Sequence, residues 1–353
     1  HNRLPGEEDR VEKDFTVDDE DCAFPHSCTT GHGTQVTGIV FCAPEPETDP
    51  CENNGDGYIG IAYEATLVSA KVRWSNESVE CLADGCSVGD YHPESWARTI
   101  PALVWAVDEE NGAGARVINY SRGYVAYLLP SSASDTGPDS PSALLVDWLV
   151  DTYGASFVHS CGNLGFGDPP VTELSPPSGA YNCISVGAYD DGDTANRQEA
   201  IIWDDTAQGP TDDGRRKPDL CAPGVGINTT NATNGFASGD GTSYAAPHVT
   251  GVVGLMLEAR PSLTPVEMHA ILVNTTDYAL LPDNENPRQT GWDDQGGYGM
   301  VEAKQAVKHR SRFVADTLAP ESSETYYIGT PDAGENVVFT CVWHRGMADE
   351  DTP

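Results

Sequence analysis

Apolar and polar positions along this chain follow two rhythms. Ala65 to Val72, Val117 to Ser121, Ser156 to Ser160 and Cys183 to Gly187 are short apolar runs of the kind buried on both faces of a parallel sheet. Between them the spacing turns helical. It does so at Val36, Ile39 and Val40; at Leu103, Val104 and Val107; at Ala143, Leu144, Trp148 and Leu149; and at Val249, Val252, Val253 and Met256. Thr99 is expected to cap the second of these helices, with Pro101 in its first turn. Thr264-Pro265-Val266-Glu267 reads as a capping box with proline at the first helical position, opening a helix through Ile271 and Leu272. Strands and helices alternating at this spacing predict an α/β fold, a parallel sheet with helices on both faces.

The rhythm fails at both ends. Residues 1 to 30 are acidic and irregular, and no Val/Ile-rich strand is expected there. Beyond Phe313 the pattern changes to β-like pieces, Thr325 to Ile328 and Val337 to Trp343, which read as the opening strands of a β-sandwich. Some forty residues cannot close a sandwich. The expected organisation is one α/β unit over 1–310 and the start of an incomplete β-rich domain over 311–353.

Charge narrows the function classes. Aspartate and glutamate outnumber lysine and arginine 55 to 19, a formal net charge of -36. Nucleic acid and anionic membrane surfaces both require a basic face and are disfavoured. With no apolar run of about 18 residues, no membrane span is expected. So acidic a surface suits a salty medium, where self-repulsion is screened.

Ten cysteines favour an oxidising compartment and a secreted protein. Cys22 with Cys28, Cys42 with Cys51 and Cys81 with Cys86 are close enough to staple local loops, and Cys221 and Cys341 look unpaired. Sequons at Asn76, Asn228, Asn231 and Asn274 agree with secretion.

The chemistry centres on Gly239-Asp240-Gly241-Thr242-Ser243-Tyr244-Ala245-Ala246-Pro247-His248-Val249, which runs into an apolar helix. The glycines permit a tight backbone approach. Ser243 falls where the helix begins, beside free amides and the positive end of the dipole, a suitable place for a nucleophile whose product is an oxyanion. Pro247 is expected within the first turn, where a missing amide costs nothing.

This stretch resembles the nucleophile motif of the subtilisin-like serine proteases, where methionine commonly stands at the place of Tyr244. The resemblance recurs in order at Gly31-His32-Gly33-Thr34-Gln35-Val36-Thr37-Gly38, at Val117 to Gly123, at Ser160-Cys161-Gly162-Asn163-Leu164-Gly165 and at Lys217 to Gly224. It covers roughly 300 residues and implies a secreted serine endopeptidase. In it Ser243 is the nucleophile, His32 the base, and Asn163 an oxyanion donor beside the Ser243 amide. His248 is a structural residue behind the nucleophile.

Polypeptide substrates in extended form would pair with the strand edge Ser121-Arg122-Gly123. Arg122 replaces the usual apolar residue there, and reads either as a solvated arginine, the commoner case, or as favouring an acidic side chain in an outer pocket. Cys161 and Cys183 fall in strands that the resemblance makes neighbours, so they either pair or stay buried and reduced. Asn54 and Asp56 match a loop that binds calcium in many relatives.

The triad aspartate has no counterpart among residues 1 to 31. His1 to Pro5 resembles the segment just after it, so the resemblance puts the aspartate upstream of residue 1 and predicts weak or no activity for this chain as it stands. The alternative is a non-catalytic relative that binds peptides or serves as a surface module.

Overall fold

Residue 157 faces one side of the central sheet and residue 158 the other, and both are almost wholly buried. That alternation, repeated at Cys183 and Ile184, organises the molecule into three layers. The computed structural model describes residues 10–14, 31–42, 59–72, 93–122, 137–163, 174–194, 199–231, 235–277, 291–317, 322–326 and 339–347.

In chain order the elements are β1 (Arg10–Asp14), α1 (His32–Phe41), β2 (Leu67–Lys71), α2 (Pro93–Val107), β3 (Val117–Tyr120), α3 (Pro141–Tyr153), β4 (Ser156–Ser160) and β5 (Cys183–Asp190). They continue as β6 (Ile201–Ile202), β7 (Leu220–Pro223), β8 (Ile227–Thr230), β9 (Phe236–Gly239), α4 (Thr242–Ala259), α5 (Pro265–Asn274) and α6 (Ala303–His309).

The main sheet has five strands. β3, β4 and β5 run parallel as neighbours, β7 joins β5 in parallel, and the short β6 pairs antiparallel with the end of β5. Val158, Ile184, Val186 and Ala188 meet the apolar faces of α4 and α5 on one side. Phe157, Cys183 and Tyr120 meet Leu103 and Val107 of α2 and Leu145, Val146 and Leu149 of α3 on the other. The predicted parallel α/β sheet with helices on both faces is therefore the fold observed.

Local sequence accounts for most boundaries. Ser140 caps α3 by accepting the Ala143 amide, with Pro141 at the first position. The predicted capping box at α5 forms in full, Thr264 and Glu267 each bonding the other's backbone amide.

Four expectations need correction. β1 is a strand, pairing in parallel with β2 from Arg10 opposite Leu67 to Asp14 opposite Lys71, although its sequence is Arg-Val-Glu-Lys-Asp. Tertiary pairing overrides its poor strand propensity. Thr99 lies inside α2, which begins at Pro93, so Pro101 is an interior proline. Pro247 likewise lies in the second turn of α4, beyond the amides that lack an intrahelical partner. Residues 339–347 contain no strand. They lie against the α/β unit: the Arg345 amide and carbonyl bond the two ends of the Asn182 side-chain amide, and Asn274 donates to Thr340.

Cys161, Cys183 and Cys221 are buried with free thiols, and Cys341 is exposed and free. Of the pairing or reduced burial open to Cys161 and Cys183, the structure has reduced burial, and burial pushes both thiols well above their ordinary range. Cys22, Cys28, Cys51, Cys81 and Cys86 lie outside the described residues. Among the described residues no helix is long and apolar enough to cross a membrane.

Candidate active site

Parallel sheets expose their functional edge where the strands end, and three chain segments meet there. β3 ends into Ser121, β4 ends into Cys161-Gly162-Asn163, and the β8–β9 hairpin delivers the chain through Gly241 into α4. α1 lies alongside, held on the hairpin by two threonine hydroxyls. Thr229 donates to the Gln35 carbonyl at 2.7 Å and Thr230 to the Thr34 carbonyl at 2.8 Å. His32, the first residue of α1, is thereby brought over the end of β3.

Ser243 is the second residue of α4, so its amide belongs to the first turn and needs no intrahelical acceptor. Its carbonyl is also spared a partner, because Pro247 four residues on has no amide to donate. Ser121 Oγ occupies that carbonyl at 2.8 Å and ties the nucleophile turn to β3. Asn119 steadies Ser121 in turn, donating Nδ2 to Ser121 Oγ at 3.0 Å and accepting the Thr250 hydroxyl at 3.0 Å.

His32 and Ser243 converge on one atom. His32 Nε2 lies 3.3 Å from the Ser121 carbonyl, and Ser243 Oγ donates to the same oxygen at 3.4 Å. Burial lowers the His32 pKa from its ordinary value, and the Ser121 carbonyl opposes that shift in part. The imidazole is thus biased toward its neutral form, the form that accepts a proton. Among the described residues no carboxylate lies against its other nitrogen. A proton on Nε2 would point at the Ser121 carbonyl, whereas accepting the Ser243 proton needs Nε2 bare and the proton on Nδ1.

Asn163 follows β4 and is exposed. Its Oδ1 accepts both the Thr242 amide at 3.0 Å and the Thr242 hydroxyl at 2.8 Å. With the oxygen so engaged, Nδ2 points along the backbone toward Gly241, 3.1 Å from where a Cβ on that glycine would sit. The Asn163 amide and the first-turn amides of α4 therefore form one donor cluster beside Ser243. Nothing in the sequence had singled out Thr242; its hydroxyl, which also accepts the Gly162 amide at 3.2 Å, is what aims Asn163.

Arg122 is half-buried rather than fully solvated, and its carbonyl receives Nε2 of the buried His159 at 3.0 Å. His159 sits among the rings of Tyr120 and Phe157, and burial holds it at about 4. His248 bonds its Nδ1 to the Tyr244 carbonyl at 2.8 Å, within its own helix. Gly123, Asn54 and Asp56 lie outside the described residues.

Comparison with known proteins identifies the family of the chain. The model of the subtilase family matches residues 4–299. Serine protease AprX of Bacillus subtilis (strain 168) is 27% identical over 264 residues, covering 70% of this chain and 53% of its own. The halolysin-like extracellular serine protease Nep of Natrialba magadii is 27% identical over 292 residues, covering 82% of this chain and 41% of its own. The chain thus spans about half the length of the curated relatives it matches. The solved structure of the prenylagaramide maturation protease PagA superposes with a TM-score of 0.56 at 22% identity over 86% of each chain. With the family model spanning most of the sequence and the same fold in solved relatives, this chain belongs to the subtilase family.

Proposed function

We propose that the chain is the peptidase unit of a secreted serine endopeptidase acting on extended polypeptides through an acyl-enzyme. The observation that carries this reading is the convergence of His32 Nε2 and Ser243 Oγ on the Ser121 carbonyl, with the Asn163 amide at the same helix start.

In the proposed reaction His32 takes the hydroxyl proton as Ser243 Oγ attacks the peptide carbonyl. The carbonyl π electrons move to oxygen, and Asn163 Nδ2 and the Ser243 amide donate to that oxyanion. The C–N bond then breaks and the departing amine takes the proton from His32. Water, deprotonated by the same imidazole, repeats the attack and releases Ser243. The edge of β3 at Ser121 and Arg122 would pair with the substrate backbone.

The chemistry requires the His32 proton on Nδ1, and a carboxylate facing Nδ1 selects that tautomer. We assign that carboxylate to a strand that would lie between β2 and β3. In support, β2 pairs with β1 and β3 with β4, and each has its other edge unpaired among the described strands. Secretion is supported by the sequons, the acidic surface and a relative described as extracellular. A calcium ion at Asn54 and Asp56 is part of the proposal as a structural ion only.

Labelling with a fluorophosphonate serine probe tests the reading. A form extended upstream by about fifty residues, taken from the family's usual register, should label rapidly at Ser243, and Ser243→Ala should abolish the signal. A folded, extended form that does not label would favour a peptide-binding module instead.

A further inference from the structure

Tyr244 follows the nucleophile, yet its phenol leaves the nucleophile helix and reaches α1. Its hydroxyl donates to Gln35 Oε1 at 3.0 Å. Gln35 stands three residues after His32, on the same face of α1. The Tyr244 ring also meets the His32 imidazole edge-on, with centroids 5.8 Å apart and an interplanar angle of 75°. One side chain therefore touches both the ring of the base and the helix that carries it.

The pocket around this phenol is closed. Tyr244 and Gln35 are both buried, at 8% and 9% exposure. Gly239 in β9 has no Cβ, and a Cβ built there would overlap Tyr244 Cζ and Oη, so the ring occupies the space that this glycine leaves. Each partner is anchored behind. The Gln35 carbonyl accepts the Thr229 hydroxyl at 2.7 Å, and the Tyr244 carbonyl accepts His248 Nδ1 at 2.8 Å. A buried hydroxyl in so confined a site needs its partner, and Gln35 supplies the acceptor.

We infer that Tyr244, through its bond to Gln35, is a positioning residue that sets the distance and ring plane of His32 relative to Ser243. The inference rests on the protease reading for its consequence in rate. Its geometric content, the placement of the imidazole, can be measured without catalysis. The nucleophile and the base come from different helices, and the Tyr244–Gln35 bond joins those helices within one residue of Ser243. A small displacement of a reacting group can cost about 10²-fold in rate, so a bond at this point has leverage.

The experiment compares Tyr244→Phe, Gln35→Met and the double variant in the upstream-extended form, with two readouts. One is the titration of His32 followed by NMR of its ring Cε1–H. The other is the rate of fluorophosphonate labelling at Ser243. Each single change leaves a buried polar group without its partner, loosens the ring contact and admits water. The His32 midpoint should then rise toward the ordinary imidazole value, and labelling should slow about tenfold by the loss of one buried hydrogen bond.

The double variant removes the same bond and no further one, so in both readouts it should lose about as much as either single and not the sum of the two. Unchanged His32 midpoints in both singles, or losses that simply add in the double, would overturn the inference. If Tyr244→Phe does not fold, Gln35→Met carries the same test. Absence of labelling in the upstream-extended parent would count against the protease reading, and the His32 titration would still judge this one.

Discussion

Asn163 and Thr242 are joined by two hydrogen bonds to a single oxygen, the Thr242 amide and hydroxyl both donating to Asn163 Oδ1. This fixes which end of the Asn163 amide faces outward and makes Nδ2 the donor available to an oxyanion. Asn163→Asp keeps an acceptor for Thr242 and places a negative charge at the start of α4, where the helix dipole favours it. Thermal stability should be kept or rise slightly, while turnover in an active form falls about 10²–10³-fold for the lost donor. Kinetics on a peptide substrate beside a melting curve would check it; equal losses in turnover and stability would make Asn163 a turn residue only.

The placement of His32 depends on the two hydroxyls that hold α1 on β8. Thr229 and Thr230 donate to the Gln35 and Thr34 carbonyls, and Gly38 lets the helix approach this closely. Replacing both threonines by valine preserves shape and removes the bonds. A loss of about 0.5–1.5 kcal/mol per bond is expected in denaturant unfolding. Slower labelling of Ser243 should accompany it, because α1 carries the base. Full labelling with reduced stability would show that the clamp holds the fold and not the site.

Residues 339–347 are fastened mainly by backbone. Asn182 bonds both the amide and the carbonyl of Arg345, at 2.6 and 2.9 Å, and the Met347 amide donates to Asp151 at 2.8 Å. The Arg345–Asp139 ion pair is peripheral, since Asp139 is 77% exposed. Asn182→Ala should therefore free the segment, and limited proteolysis near Trp343 should accelerate. Arg345→Ala should cost less than about 1 kcal/mol through the ion pair itself. The reverse ranking in proteolysis would mean that side-chain charge, not the Asn182 bridge, retains the segment.

Acid should loosen this segment. His344 Nε2 lies 3.3 Å from His269 Nδ1, and His269 Nε2 lies 3.0 Å from Asp219, which is also paired with Lys217 at 2.7 Å. Burial, then the neighbouring His269 and Lys217, push His344 down to about 3, with Asp219 opposing. Burial alone would raise Asp219, yet Lys217 and His269 outweigh it and hold its carboxyl well below the ordinary range. A histidine whose folded pKa is depressed contributes stability above its unfolded value, and that contribution is lost as pH falls from about 6.5 toward about 3.

Asp147 runs the other way. Burial raises it to about 6, against the Asn182 amide and the charges of Lys217, Arg345 and Arg215, so its contribution is lost as pH rises from about 4 to about 6. The opening of 339–347, read as exchange rates divided by the intrinsic rate at each pH, should rise between pH 6 and pH 4 in the parent protein, with Asp147 offsetting part of the His344 loss. With His344→Gln, which keeps a polar partner for His269, the rise should be much smaller. An unchanged acid profile in that variant would remove His344 from the account.

Much of this architecture was written locally. Parallel-strand runs, helical spacing, the α5 capping box and the order of Gly31-His32-Gly33, Gly162-Asn163 and Thr242-Ser243 are properties of neighbouring residues, so they could be read without coordinates. The sequence by itself determined the fold class and nominated His32, Asn163 and Ser243. It did not announce β1, whose polar residues become a strand only because β2 offers them an edge. Nor did it show that Pro247 frees the Ser243 carbonyl for Ser121, that Thr242 orients Asn163, or that Tyr244 reaches Gln35 across 209 positions. Those relationships join residues far apart in the chain. No local propensity encodes them, and only the packing of α1, β3, β4 and α4 around one sheet edge decides which atoms meet.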